Sequence, residues 1–460
     1  MGVSSGDVNN TTMPQLVLLF AYSQRGDWML KLSQVSLREF SLSNGLRVLF
    51  LPDNSPSVTV LGLVKTGSRY EVPNQEGLAH FYEHMVFKGT KSFPSKKALA
   101  LAVDKIGAEY NGATGQEYTY YYVKTAKRDW AIGLDLVSQL LVEPLLAEEE
   151  IKIERGVILE ELHMYYDIPQ YRAQIELGKL LFPNHPLGTS GIGTDETISA
   201  FARKDFLEFK NKFYDLGKIV LVVAGGVKEE ESLRGAIKQS FFYSKKTDPK
   251  EITPKLFKES GQREKLIKRV AKETDQVHLA MGVRGFGRHD QRRYAQSLLN
   301  IILGGGMSSR LFQEIREKRG LCYSVASAVE LFNEVGVFEI TAGLNKNRLT
   351  EAVEEIKNQL FLLVKKEVSR EELDKAKHFF EGKLALSLED SYKKAHFYGK
   401  QRLLEPDIKD YNQVINNVKR VESEDILLVA KEIFLPEKIK LVLVGDALED
   451  KENIKELKGR

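Results

Sequence analysis

Two short segments lying 220 residues apart constrain the fold of this chain more than any other feature. Lys218–Val227 reads KIVLVVAGGV and Lys440–Ala447 reads KLVLVGDA; each follows a Phe-containing helix end, and Gly225 aligns with Gly445. The same offset takes Gly67 of KTGSR to Gly287 of GFGR, where another strand-like run gives way to a loop. Such a repeat implies two copies of one unit, beginning near Gln34 and Gln262. Residues 1–34 then form an N-terminal extension, 35–242 a first domain, 243–261 a linker rich in Lys, Pro and Asp, and 262–460 a second domain. With 460 residues and 42% apolar side chains, the chain has the material for two such cores.

The copies differ in chemistry. Gly77–Thr90 of the first reads GLAHFYEHMVFKGT and contains the cluster H-x-x-E-H, made of His80, Glu83 and His84. On a helix, residues four apart share a face, so both imidazoles reach one point, with Glu83 beside them to take a proton from water held there. Two neutral imidazoles and an adjacent acid on a rigid helix suit a catalytic zinc site, and this inverted order labels a distinct class of metallopeptidase. With 8 histidines in the chain, the expected number of chance H-x-x-E-H strings is on the order of 0.01. The repeat offset places His84 opposite Gly304, so the second copy lacks these ligands.

A catalytic zinc takes a third protein ligand and leaves one position open. The stretch Ile151–Leu162, IKIERGVILEEL, reads as an amphipathic helix, with Ile151, Val157, Ile158 and Leu162 at helical spacing. Glu154 and Glu161, seven apart, share a face, whereas Glu160 points about 100° away from Glu161. Spacing alone does not choose the ligand between Glu154 and Glu161, and a Glu-rich helix is more often a solvated charged stripe.

HFYEHMVFKGT followed by ERGVILEEL resembles the pitrilysin/insulinase-type zinc metallopeptidases, which include the mitochondrial processing peptidases. The resemblance implies one zinc ion per chain, with Glu161 (161 − 84 = 77 residues after His84) as third ligand and Glu154 in a supporting role near the metal. It extends to Gly304–Val325, GGGMSSRLFQEIREKRGLCYSV, where Arg316 and Tyr323 match a substrate-binding Arg/Tyr pair. A guanidinium and a phenol can hydrogen-bond a substrate carbonyl and steady its developing charge. It also extends to IGAEYNGATGQEYTYYYVKT, where Asn111, Gly112, Ala113 and Thr114 stand where the family has an Asn-Ala-x-Thr edge strand that takes up substrate backbone. Gly112 in place of Ala departs mildly from that pattern. The implied fold, over residues 35–450, is α+β: two homologous repeats, each an antiparallel or mixed sheet with helices on one side, together forming half of a clamshell. The implied assembly is a homodimer enclosing a chamber, with Arg316 and Tyr323 reaching the partner's zinc site.

A net charge of +3 gives no footprint for nucleic acid, and no apolar run is long enough to cross a bilayer. Leu16–Tyr22, LVLLFAY, lacks the basic flank and cleavage site of a secretory signal, and reads as part of a loose extension or an added strand. The single cysteine, Cys322, excludes an intrachain disulfide and fits a reducing compartment, so a cytoplasmic location is expected. The remaining histidines have no ligand-like spacing. The expected activity is zinc-dependent endopeptidase cleavage of peptides. The rival readings are a subunit active only beside a different, metal-free partner, a non-catalytic scaffold relative, and a metal-binding protein of another class.

Overall fold

The computed structural model of the protein describes residues 36–242, 252–258 and 266–446. The N-terminal extension and most of the expected linker lie outside the described residues. The first sheet contains β1 (Arg38–Ser41), β2 (Arg47–Pro52), β3 (Ser57–Val64), β4 (Glu109–Thr114), β5 (Thr119–Ala126) and β6 (Ile219–Gly225), in the order β1-β2-β6-β3-β5-β4. The second contains β7 (Ile267–Ala271), β8 (Gln276–Phe286), β9 (Cys322–Leu331), β10 (Val335–Asn345) and β11 (Lys440–Gly445), in the order β7-β11-β8-β10-β9. Leaving β1 aside, the two orders are the same: β2, β6, β3, β5 and β4 correspond to β7, β11, β8, β10 and β9.

The repeated segments are thus the last strand of each half, inserted between the first two. β6 runs parallel to β2 and antiparallel to β3, and β11 does the same between β7 and β8. Their unbroken apolar runs fit that central place, where every residue of both strands is buried. Each sheet is therefore mixed, with one parallel pair. Among the described residues, β4 and β9 are edge strands, at the sheet ends opposite β1 and β7.

Helices cover both faces of each sheet, not one side as expected. One face of the first sheet packs on Leu78–Val86, Trp130–Val142 and Arg203–Phe213. The equivalent core of the second sheet is closed by Arg293–Gly304, Leu349–Lys365 and Ser423–Ile433. The opposite faces are covered by exchange. Helix Pro169–Leu181, from the first half, lays Ala173, Leu177 and Leu181 on Ala280, Val442 and Val444 of the second sheet. Helix Ser391–Leu404, from the second half, lays Ala395, Tyr398 and Leu403 on Leu61, Leu63, Val220 and Val222 of the first. Gly399 permits the close approach, since a Cβ there would meet Leu63 Cδ1 at 2.6 Å and Val222 Cγ2 at 2.7 Å.

Buried charge ties the halves together at the hairpin ends. Glu117, in the β4–β5 turn, accepts from both Arg69 and Arg288, and Arg69 also pairs with Glu334 in the β9–β10 turn. Arg69 follows β3 and Arg288 follows β8, one position apart in the repeat: the 220-residue offset sets Arg288 opposite Ser68 and Arg69 opposite His289. Residues 252–258 are laid against both halves: Lys255 O accepts from Arg69 Nη2 at 3.0 Å, and Phe257 N donates to Glu334 Oε1 at 2.7 Å. Among the described residues no helix is long and apolar enough to cross a membrane.

Candidate metal centre

The helix Leu78–Val86 is embedded, with Leu78, Ala79, Phe81, Tyr82, Met85 and Val86 all in the first core. That packing fixes which way its polar residues point. His80 and His84 lie one turn apart with ring centroids 4.7 Å from each other. The helix Glu148–Asp167 crosses beside it and buries Ile151, Glu154, Ile158 and Leu162. Val157, expected on the apolar face, is exposed (48%), and Glu154 takes a place on the buried face instead.

Glu161 stands opposite the two histidines, its Oε1 3.8 Å from His80 Nε2 and its Oε2 3.5 Å from His84 Nε2. Among the described residues this trio is the one group of three His, Cys, Asp or Glu side chains placed to hold a metal ion. A tetrahedral ion with ligand bonds of about 2.0–2.2 Å holds its donors about 3.3–3.6 Å apart, so the three groups fit zinc after a small contraction. Glu154 Oε1 lies 2.9 Å from His84 Nδ1, and its other oxygen pairs with Lys88. A proton held on Nδ1 by Glu154 leaves the Nε2 lone pair facing the centre, the arrangement a metal-bound histidine requires. His80 Nδ1 is buried and has no hydrogen-bond partner among the described residues.

Burial, with His84 nearby, pushes the His80 imidazole down to about 3, so it is neutral and ready to donate a lone pair. Burial also opposes charge on His84, but the Glu154 hydrogen bond and the Glu83 and Glu161 carboxylates outweigh it and raise its pKa. Glu154 resists the upward pull of its own burial, because His84 and Lys88 hold it below the usual carboxylate range. Glu83 is different: burial dominates and raises its pKa, although Thr114 Oγ1 donates to its Oε2 at 3.2 Å. A carboxylate easier to protonate than usual suits proton transfer near neutral pH.

His80, Glu83, His84 and Glu161 line a cavity of about 680 Å³ together with Asn111, Gly112, Ala113 and Thr114 of β4. Among the described residues β4 pairs with β5 on one side only, and its other edge faces the histidines. Gly112 is crowded: a Cβ there would lie 2.9 Å from the Tyr121 ring and 3.2 Å from Glu83 Oε1. The far wall comes from the second half, including Glu330, Phe332, Val337 and Glu339. Every charged acid or base on the described lining other than the histidines is a glutamate, so the cavity favours cations.

Arg316 and Tyr323 are brought to each other but not to this cavity. The Arg316 guanidinium sits 5.1 Å from the Tyr323 ring centroid, Tyr323 is 75% exposed, and Arg316 lines a neighbouring cavity with Gln170, His278 and Gln174, the last of which also lines the first cavity. Among the other histidines, His163 bonds Asp195 at 2.7 Å, His289 bonds Asn333 at 2.9 Å and His396 bonds Tyr118 at 3.0 Å. Cys322 is half-buried against the second core, and burial raises its thiol pKa to about 11, so it is protonated near neutral pH. Two participants escaped the sequence reading. Lys88 lies four residues after His84, a spacing that could have revealed it. Glu71, which reaches the start of the histidine helix, carries no local signal.

Residues 47–195 match the family described as insulinase (peptidase family M16), and residues 200–380 match the one described as peptidase M16 inactive domain. An uncharacterised zinc protease of Bacillus subtilis is 33% identical over 401 residues, covering 86% of this chain and 96% of that protein. One of Streptomyces coelicolor is 31% identical over 423 residues, covering 91% of each. The crystal structure of a protease from Helicobacter pylori superposes with a TM-score of 0.84 at 26% identity, over 90% of this chain and 100% of that one.

Proposed function

This chain belongs to the insulinase-type peptidase family M16, and from that membership we propose that it is a zinc-dependent endopeptidase acting on unfolded or presequence-like peptides in the chamber of a homodimer. The convergence of His80, His84 and Glu161 beside Glu83, under the edge of β4, carries this reading. His80, His84 and Glu161 would hold the ion, one per chain. Zinc, when bound, supplies Lewis acidity that acidifies water and polarises a carbonyl.

The chain's own groups account for the rest. A peptide adds to β4 as a further strand, which holds backbone firmly and reads side chains little. Thr114 occupies Glu83 Oε2 and leaves Oε1 to take the proton of the attacking water and return it to the leaving amine. Glu154 keeps the His84 ring oriented without touching substrate. Arg316 and Tyr323 steady the substrate and its oxyanion, reaching the cavity of the partner protomer. The free, protonated thiol of Cys322 is compatible with a cytoplasmic location.

The test is hydrolysis of an unstructured peptide pool by wild type and Glu83→Gln, with metal content measured on both. The expected result is about one zinc per chain in each and cleavage by wild type alone. Strong residual cleavage by Glu83→Gln would remove Glu83 as the base, and absence of zinc from wild type would favour the scaffold reading. Arg316 and Tyr323 do not line the cavity of their own chain, which leaves two suppliers of such a pair: a second copy of this chain or a different subunit. Mixing Glu83→Gln with Arg316→Ala protein decides between them: regained activity after subunit exchange supports the homodimer, and none supports a separate partner.

A further inference from the structure

We propose that Glu71 is a positioning residue for the metal centre: it caps the histidine helix and supplies the negative charge that lets the positive end of that helix accept a dication. The inference rests on the zinc reading of the same site. An α-helix begins with backbone N–H groups that have no partner within it, and these carry a partial positive charge. A serine or aspartate at the N-cap usually meets them. Here the N-cap is Gly77, at φ 92°, and a Cβ there would lie 2.3 Å from Ile192 O. A capping side chain therefore cannot be supplied from the N-cap itself.

Glu71 supplies it from six residues upstream. Its Oε2 accepts from Gly77 N at 3.0 Å and its Oε1 from Ala79 N at 2.7 Å. Its backbone N–H, donating to Ser68 O at 3.2 Å, ties it to the turn that also carries the interdomain Arg69. The carboxylate is 9% exposed and, among the described residues, no lysine or arginine pairs with it. Burial raises the Glu71 pKa, the Ala79 and Gly77 N–H groups oppose that rise by bonding the ionised form, and Glu76 adds to it slightly. A buried carboxylate is costly unless it is hydrogen-bonded, and here each oxygen accepts an N–H at the helix start.

His80 is the third residue of the helix, so an ion on its imidazole lies at the first turn, where the helix dipole repels a cation. A carboxylate bonded to that same turn cancels the repulsion and fixes the turn's direction. At the other end of the short helix Glu154 holds the His84 ring and pairs with Lys88.

The experiment measures zinc affinity by chelator competition for wild type, Glu71→Gln and Glu71→Ala, beside amide hydrogen exchange of the metal-free proteins. Glu71→Gln keeps the shape and one acceptor oxygen but removes the charge. It should weaken zinc on the order of tenfold while the helix stays protected, and Glu71→Ala should weaken it further and also expose the Gly77 and Ala79 amides. If Glu71→Ala fails to fold, the Glu71→Gln comparison stands alone. Wild-type affinity in Glu71→Gln overturns the proposal, as does a loss of affinity accompanied by exchange throughout the helix. Absence of zinc from wild type is a different failure: it overturns the metallopeptidase reading and takes this inference with it.

Discussion

Replacing Glu117 with alanine tests the buried charge that joins the two halves. Glu117 and Arg288 are each 5% exposed and Arg69 is 1% exposed, so none is screened by water. The substitution leaves the arginines unequal. Arg69 retains Glu334 and Lys255 O, whereas the Arg288 side chain retains, among the described residues, one hydrogen bond, to Leu331 O at 2.8 Å, with the Glu330 carboxylate nearby, and the Asn333 N–H loses an acceptor at 3.0 Å. Breaking a buried pair from one side costs about 3–5 kcal/mol, and an orphaned N–H about 1–3 kcal/mol. Since Arg69 stays paired, the expected destabilisation is about 4 kcal/mol, at the low end of the sum. Urea unfolding followed by far-ultraviolet circular dichroism measures it, and a split into two transitions would report uncoupling of the halves. Arg288→Met should harm the Glu117→Ala background less than wild type, because it removes the stranded charge. A cost below about 1 kcal/mol, the value of an exposed pair, would refute the argument.

Two further outcomes follow from the geometry. His396 is held neutral by burial, its pKa lowered to about 4 from 6.5, and it lies 3.0 Å from the Tyr118 hydroxyl. Between those values the unfolded chain binds a proton that the folded chain does not, so stability falls as pH drops from 6.5 to about 4 and levels off below, by at most about 3 kcal/mol. His396→Gln should flatten that part of the stability–pH curve; an unchanged curve would contradict the assignment. Gly112→Ala introduces a Cβ against Tyr121 and Glu83, so it should lower kcat several-fold without changing zinc content. Peptide turnover with metal analysis checks this, and wild-type kcat would show that the strand yields.

Local periodicity made part of this protein legible without coordinates. His80 and His84 share a face because residues four apart on any helix do, and the 220-residue repeat appears as one strand order used twice. Ile151, Ile158 and Leu162 marked the second helix correctly. Val157 did not, because which flank of a broad apolar stripe is covered depends on the neighbour, and the neighbour here makes room for Glu154. The parallel pair in each sheet and the exchanged helices also lay beyond the sequence: both are choices of partner among surfaces that are equally apolar.

What the sequence by itself determined is the set of residues that neighbours along the chain bring together: the histidines and Glu83 on one turn-pair, the strand from Tyr118 onward, the buried strand that ends each half; the edge strand with its glycine came from the family resemblance. Tertiary structure alone decided which glutamate faces the histidines, that Glu71 caps their helix, that Arg316 and Tyr323 sit away from their cavity, and that Arg69 meets Glu334 across 265 positions. The physical reason is range. Side chains three or four apart meet through backbone geometry that every helix shares, whereas distant charges meet only after apolar packing has placed their elements, and a buried arginine leaves no mark on the residues beside it.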